Sequence, residues 1–346
     1  MTEKERPLVT FALFAFNQEA FVREAVQAAL AQTYSPLQII LSDDYSADRT
    51  FEIMREEAQR YSGQHEVELN SNPTNLGLAG HFKVVMEKCR GEFIVVAAGD
   101  DISFPQRTAE LVDVWDREGR KVMSIFSGYK LIDTAGRITG VKAFFEGYHW
   151  ATPTLRINGN IPIEGVTHAF SKRVYDDFGP FVEDAINEDV LLQFRASLRA
   201  GVFVISDQLA SYRKHFENLS NLDARLSSSS EGSIVCQIEL VHLDRYLRCL
   251  RNFSRDIGTA IQRGWVSGDH GKKLLELANK QIKTTTARHA FLSQKRSGFL
   301  AALIFLARSG ISLQTIARDI LLRHFPDLFL QGRNVKGRLR KLIRSI

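Results

Sequence analysis

Two short apolar runs in this chain, LQIILS at 37 to 42 and FIVVAA at 93 to 98, each lead into a pair of adjacent aspartates, Asp43 with Asp44 and, one glycine later, Asp100 with Asp101. Apolar runs of this length, bounded by turn residues, read as strands buried on both faces, the kind found in a parallel sheet covered by helices. In such a sheet ligands lie outside the carboxyl ends of the strands, so both pairs are expected to face one crevice. Carboxylates this close repel. A divalent cation bridging to a diphosphate would relieve the repulsion, because Mg2+ or Mn2+ takes one or two carboxylates together with phosphate oxygens. Solvated turn aspartates compete with that reading for either pair alone.

The first half of the chain repeats the strand-then-helix pattern. Further strands are expected at 8 to 14, 66 to 70 and 122 to 129. Asn17 reads as the N-cap of a helix over 18 to 32, and Asp48 as the start of a second carrying Phe51, Met54 and Ala58. Pro105 fits the first turn of a third, with Leu111, Val114 and Trp115 facing the sheet. The expectation is an α/β fold with a mostly parallel sheet and flanking helices. Beyond residue 220 the texture changes. LSSSSEGS at 226 to 233 reads as a linker, and only helical patterns follow, which suggests an α/β domain over 1 to 220 and an all-helical region over 221 to 346.

With 346 residues and 44% apolar content the chain can bury a large core. Its start, MTEKERPLVT, enters a strand without a hydrophobic leader, and Cys89, Cys236 and Cys249 lack disulfide or zinc spacing, so a reducing cytoplasm is expected. The apolar stretch at 299 to 307 is too short to span a bilayer. The net charge of +5 resides in the last sixteen residues, where Arg333, Lys336, Arg338, Arg340, Lys341 and Arg344 meet no acid. With Leu339, Leu342, Ile343 and Ile346 interleaved, this tail is read either as an interfacial helix at an anionic membrane or as a solubilising end. No basic face or RNP-like motif supports nucleic acid as a partner. Neither GxGxxG after the first strand nor GxxxxGK[ST] occurs, which removes the main support for dinucleotide or P-loop enzymes.

Several motifs, in order, resemble those of the family 2 glycosyltransferases, nucleotide-sugar-dependent enzymes with the Rossmann-like GT-A fold, over about residues 7 to 220. They are Phe14, Phe16 and Asn17 at the end of the first strand, AQTY at 31 to 34, and Asp43, Asp44, Tyr45, Ser46, Asp48 and Thr50 for DDGSxDxT. Asn75 and Gly77 follow as an NxG motif, then Gly99, Asp100, Asp101, Pro105 and Arg107, then GVTHAFSKRVYDDFG, INEDVLLQFRA and YRKHFENLS. Two departures stand out: Tyr45 takes the place of the usual glycine, and Ala98 the place of the first acid in the DxDD variant.

The resemblance implies that Phe14, Phe16, Asn17, Asp43, Asp44, Asn75, Gly77 and Asp100 serve the nucleotide, with Asp44 accepting from the base. Asp101 and His215 would hold Mg2+ or Mn2+, while His168 and Trp150 would face the acceptor. Two acidic pairs compete for the catalytic base, Glu183 with Asp184 and Glu188 with Asp189. The second opens an apolar helix, whose exposed amides favour an ionised carboxylate, so Asp189 is the candidate, with Glu188 beside it. The implied activity is transfer of a sugar, with inversion, from a nucleotide diphosphate sugar, uridine-linked by expectation, to a hydroxyl of a surface-glycan or lipid-linked acceptor. A catalytically silent sugar- or nucleotide-binding protein on the same fold is the alternative.

Overall fold

The computed structural model describes residues 6–149, 152–159, 165–181, 187–215, 232–293 and 311–324. The chain divides into two compact units, one of residues 1–214 with 252–275, the other of 215–251 with 276–346. The first opens with alternating elements: β1 (Val9–Ala15), α1 (Val22–Leu30), β2 (Leu37–Asp43), α2 (Thr50–Arg60), β3 (Glu66–Ser71), α3 (Gly77–Lys88) and β4 (Phe93–Ala98). It continues with β5 (Ile102–Ser103), α4 (Arg107–Arg117), β6 (Ser124–Ile132), β7 (Ile138–Lys142), β8 (Gly147–His149) and α5 (Pro153–Ile157). A 3-10 turn (Gly165–Thr167), β9 (Ala169–Ser171), α6 (Arg173–Asp176), α7 (Glu188–Arg199) and β10 (Val202–Arg213) complete the sheet-bearing stretch. Among the described residues no strand follows, only α8 (Gly232–Gln262), α9 (Gly268–Ser293) and α10 (Leu313–His324).

The sheet runs in the order β3-β2-β1-β4-β9-β6-β10-β5, with β7 on β6 and β8 on β10. Its first four strands are parallel, as the repeated strand-helix pattern requires. The second half corrects the expectation of a mostly parallel sheet. β9 lies antiparallel to both β4 and β6, β10 is parallel to β6, and β5, β7 and β8 pair antiparallel. For β7 the reason is local: β6 returns as a hairpin, on a turn in which Asp133 Oδ1 accepts from the Ala135 and Arg137 amides at 2.9 and 3.0 Å.

Alternation along β1 divides the core. Val9, Phe11, Leu13 and Ala15 face one layer with Val26, Met54, Leu111 and Trp115, whereas Ala12 faces the other with Phe82, Phe126, Phe170 and Leu192. Trp115, expected on the sheet, stacks on Phe93 at 4.8 Å and donates its indole N–H to the Val122 carbonyl. One helix start differs from expectation and one agrees with it. Asn17 has φ +52 and its Oδ1 accepts from the Ala47 amide, so it ties two loops rather than capping α1. Asp48 does accept from the Thr50 amide, at 3.0 Å, just ahead of α2.

Residues 252–275 pack into the first unit. Phe253 stacks on Phe194 at 3.9 Å, and the fully buried Asp256 accepts from Arg195 Nε at 2.8 Å. The second unit has its own core of Leu243, Ala287, Phe291, Ile316 and Leu322, with Arg288 bridging Glu239 and Asp319. The linker at 226 to 233 lies outside the described residues apart from its last two, and the apolar stretch at 299 to 307 and the basic tail lie outside them altogether. No helix among the described residues is long and apolar enough to cross a membrane.

Breaking a buried ion pair from one side strands the other charge, a loss of about 3–5 kcal/mol. Asp256→Ala, which strands Arg195, is expected to lower the urea midpoint accordingly, while an Arg23→Ala change at the partly exposed pair with Glu56 and Glu57 moves it far less.

Candidate active site

β1, β2 and β4 deliver three chain ends to one edge of the sheet. Ala15 lies opposite Asp43 and Phe14 opposite Ala98, so the residues just past each strand are neighbours. The Asp44 amide donates to the Ala15 carbonyl at 3.0 Å and the Gly99 amide to that of Phe14 at 2.8 Å. A Cβ at Gly99 would stand 2.6 Å from Gln18 Oε1 and 3.0 Å from Ala15 Cβ, which is why the residue before the second acid pair is glycine. The chain leaves β1 toward β2 and β3 on one side and reaches β4 on the other, so both acid pairs sit at a topological switch point.

Within the first pair the two carboxylates have different work. Asp43 is spent on its own turn: Oδ2 accepts from the Ser46 amide at 2.9 Å and Oδ1 from the Ser46 hydroxyl. Asp44 Oδ1 accepts from Asn72 Nδ2 at 2.7 Å and from the Leu76 amide at 3.0 Å, and its Oδ2 carries no protein hydrogen bond among the described residues. Behind Asp44 runs a polar chain in which Asn70 Nδ2 donates to Asn72 Oδ1 and Ser42 Oγ, and Ser42 Oγ meets His81 Nε2 at 2.6 Å. Burial pushes the His81 pKa down, against the charges of Asp44 and Asp43. Phe16 is 45% exposed beside this pair, whereas Phe14 is half-buried against His81 and Phe82. Asn75 accepts from the Gly77 amide at 2.9 Å, and Gly77 takes φ +67 as α3 begins, a conformation that favours glycine.

The second pair is buried. Asp101 Oδ1 accepts from the Arg213 amide at 2.9 Å. Burial and the charge of Asp100 hold its carboxyl well above the usual range, against the Arg213 amide and the Arg107 and Arg213 charges. Arg107, also buried, is pushed down to about 10 by burial, with Asp101 opposing, and its guanidinium bonds Ser103 Oγ and the Val96 carbonyl at 2.8 Å each. Arg213 is 1% exposed and spends its guanidinium on the Asp100, Asp133 and Thr134 carbonyls, on Glu24 Oε2 at 2.7 Å and on the Phe21 ring. It is a clamp on the acid pair.

No cluster of three or more His, Cys, Asp or Glu side chains placed for a metal occurs among the described residues. The donor set is thus two neighbouring buried carboxylates, with the Asp101 carboxyl held well above the usual range, which fits a dication completed by diphosphate oxygens. His215, half-buried, stands two residues beyond β10.

Asp189 lies in the first turn of α7, with Asn187 as N-cap. Its Oδ1 accepts from the Val190 amide at 2.8 Å, and a Cβ at Gly165 would sit 2.8 Å from both its Cβ and Oδ2, so only glycine permits that approach. The helix amides lower its pKa as expected, but burial outweighs them and the net direction is upward. Glu188 is pushed up to about 8 by burial and by the Asp189 charge. The buried Arg156, on α5, donates to Gln193 Oε1 and its charge opposes the rise at Asp189. Sequence reading passed over Arg156, Asn70, Asn72 and His81, because a buried Arg or Asn carries no periodic signal.

His168 is a correction. It is 2% exposed, its ring stacks on Phe126 at 4.3 Å and its Nε2 meets Ser124 Oγ at 3.1 Å, so it belongs to the core and not to an acceptor-facing surface. Burial, with Arg156 and Arg107 nearby, pushes it down to about 3. Trp150, Glu183, Asp184 and the Tyr148 side chain lie outside the described residues.

Comparison with known proteins agrees with the motifs. Residues 10–177 match the family model described as glycosyl transferase family 2. The putative glycosyltransferase EpsE of Bacillus subtilis (strain 168) is 30% identical over 130 residues, 38% of this chain and 46% of EpsE. The uncharacterized protein Rv1520 of Mycobacterium tuberculosis (strain ATCC 25618 / H37Rv) is 36% identical over 105 residues, 30% of each. The chain therefore spans less than half the length of these curated relatives. Among solved structures, S. aureus TarS 1-349 aligns over 96% of this chain and 91% of its own, with a TM-score of 0.53 at 16% identity. The same protein in complex with UDP-GlcNAc aligns over 94% and 92%, again at 0.53. The likeness to TarS is one of fold, broadly GT-A-like with a mixed sheet. The match to glycosyl transferase family 2 thus takes in residues 10–177, the stretch that carries both acid pairs.

Proposed function

We propose that this protein transfers a sugar, with inversion, from a nucleoside diphosphate donor to a hydroxyl of a surface-glycan or lipid-linked acceptor, as a step in polysaccharide or cell-wall biosynthesis. The observation that carries the proposal is the placement of two acid pairs on either side of the end of β1, one with an oxygen of Asp44 unengaged among the described residues and one buried with the Asp101 carboxyl held above its usual range. Asp44 Oδ2 suits the imide N–H of uracil, and a TarS structure that shares the fold is a complex with UDP-GlcNAc, which supports a uridine-linked donor. Phe16 offers an apolar face for the base, and Asp100 and Asp101 would hold Mg2+ or Mn2+ against the diphosphate. When bound, such a cation neutralises charge on the departing nucleotide. His215 is carried as a further metal or phosphate contact.

Asp189 is the proposed base, accepting the acceptor hydroxyl proton as the oxygen attacks the sugar carbon and the nucleoside diphosphate leaves from the opposite face. Gly165 sets its place by allowing close approach, and burial raises its proton affinity. The reading of a silent binding protein draws on Ala98, which stands where a third acid would help hold the metal. Release of UDP from a donor at catalytic rates excludes it. The basic tail, in this proposal, holds the enzyme at the cytoplasmic face of an anionic membrane, near a lipid-linked acceptor.

Asp101→Asn is expected to abolish the metal dependence of UDP binding in calorimetry, while Asp44→Ala weakens binding even in EDTA. Unchanged metal dependence in folded Asp101→Asn would refute the metal assignment.

Loss of a general base costs on the order of a hundredfold or more, so Asp189→Asn should retain UDP binding while transfer falls by that factor. A base works only when ionised, and the upward shifts at Asp189 and Glu188 place the rising limb of kcat/KM above the ordinary carboxylate range, toward the pH of about 8 at which Glu188 ionises. Asp189→Asn should remove that limb.

Each Lys or Arg near an anionic leaflet contributes roughly 1 kcal/mol before screening. Full-length protein should sediment with anionic liposomes at low salt, and a chain lacking residues 333 to 346 should stay in solution with its UDP affinity intact.

A further inference from the structure

Tyr45 breaks two rules at once. Its φ of +63 lies in the left-handed region that a bulky side chain adopts only under strain, and its ring is 58% exposed. Glycine, usual at this place in the resembling motif, would remove both penalties. The turn is over-determined: Asp43 takes the Ser46 amide and hydroxyl, the Asp44 amide bonds the Ala15 carbonyl at 3.0 Å, and the Asn17 amide bonds Ser46 Oγ at 2.8 Å. These last two bonds bracket Phe16 and Tyr45, so two exposed aromatic residues are held on adjacent loops at the carboxyl edge of β1 and β2. Between those loops lies Asp44, with Oδ2 unengaged among the described residues. Retained strain at such a place is associated with ligand clamps.

We infer that Tyr45 is a second aromatic wall of the donor's base site, so that a uracil ring is held between Phe16 and Tyr45 while its imide N–H donates to Asp44. The inference rests on the donor reading above and adds a residue to it. Stacking contributes to affinity whatever the base, because every base has a π-face, whereas the carboxylate favours bases with a donor at that position. Removal of the Tyr45 ring should therefore weaken UDP and CDP alike and leave the preference between them to Asp44.

The experiment is titration of the full chain with UDP in EDTA, followed by calorimetry and by the NMR shifts of uracil H5 and H6. Tyr45→Gly should weaken UDP binding by about tenfold, as expected for loss of one stacking face. The same variant should unfold at an equal or higher temperature, since the strain is relieved. Tyr45→Phe should bind as wild type, and Tyr45→Leu, which keeps bulk but not aromaticity, should bind weakly and lose the upfield shift of H5 and H6. Wild-type binding of UDP with unchanged affinity in folded Tyr45→Gly and Tyr45→Leu would overturn the role of Tyr45 and leave the donor reading standing. Failure of the wild type itself to bind UDP would overturn both.

Discussion

The parallel pairing of β1 with β2 on one side and β4 on the other is the constraint on which the candidate site depends. With Ala15 opposite Asp43 and Phe14 opposite Ala98, any residue just past β2 or β4 must emerge beside the end of β1. A shift of either strand by one residue would turn its apolar side chains to the wrong layer and move its acid pair along the edge. The two layers of core on either face of β1 thereby hold the acid pairs in place.

Burial then gives the two pairs different chemistry. Asp43 is consumed by its turn, and Asp44 is oriented by Asn72 and the Leu76 amide, so one oxygen is directed and the other left open. At Asp100 and Asp101, Arg213 supplies a peptide donor and a guanidinium clamp, and Arg107 lies buried nearby. Those cations do not offset the desolvation of Asp101, whose carboxyl still favours its proton. The proposed metal role draws on that imbalance, because a fully compensated acid pair would gain little from a dication. Asp189 repeats the pattern, with helix amides and Arg156 partly countering burial.

What was legible in the sequence follows from how each feature is encoded. The first four strands fall within a residue or so of expectation because each is an apolar run that ends in a turn residue, and both acid pairs came with them. β9 is three residues long and runs against its neighbours, and neither length nor direction leaves a pattern in a single sequence. Asn17 looks like a helix cap because Asn commonly caps helices. Its positive φ and its bond to Ala47 depend on a loop thirty residues away. The resemblance places His168 toward the acceptor, and only the sheet shows Phe126 lying against its ring. Arg107, Arg156 and Arg213 are all 1% exposed, the reverse of what Arg usually implies.

The buried arginines also show why the site is built on strands rather than loops alone. Arg213 is the last residue of β10, yet it contacts the chain at Glu24, Asp100, Asp101, Asp133 and Thr134, drawing α1, the β4 end and the β6–β7 turn onto the acid pair. β10 in turn is fixed by its parallel pairing to β6 and by β5, which follows directly after Asp101. The short β5 strand thus ties the acid pair to the same strand that carries its clamp. Displacement of Asp101 would have to break the β5–β10 pairing and the Arg213 amide bond together. Such coupling keeps a buried, mutually repelling pair of carboxylates in one geometry.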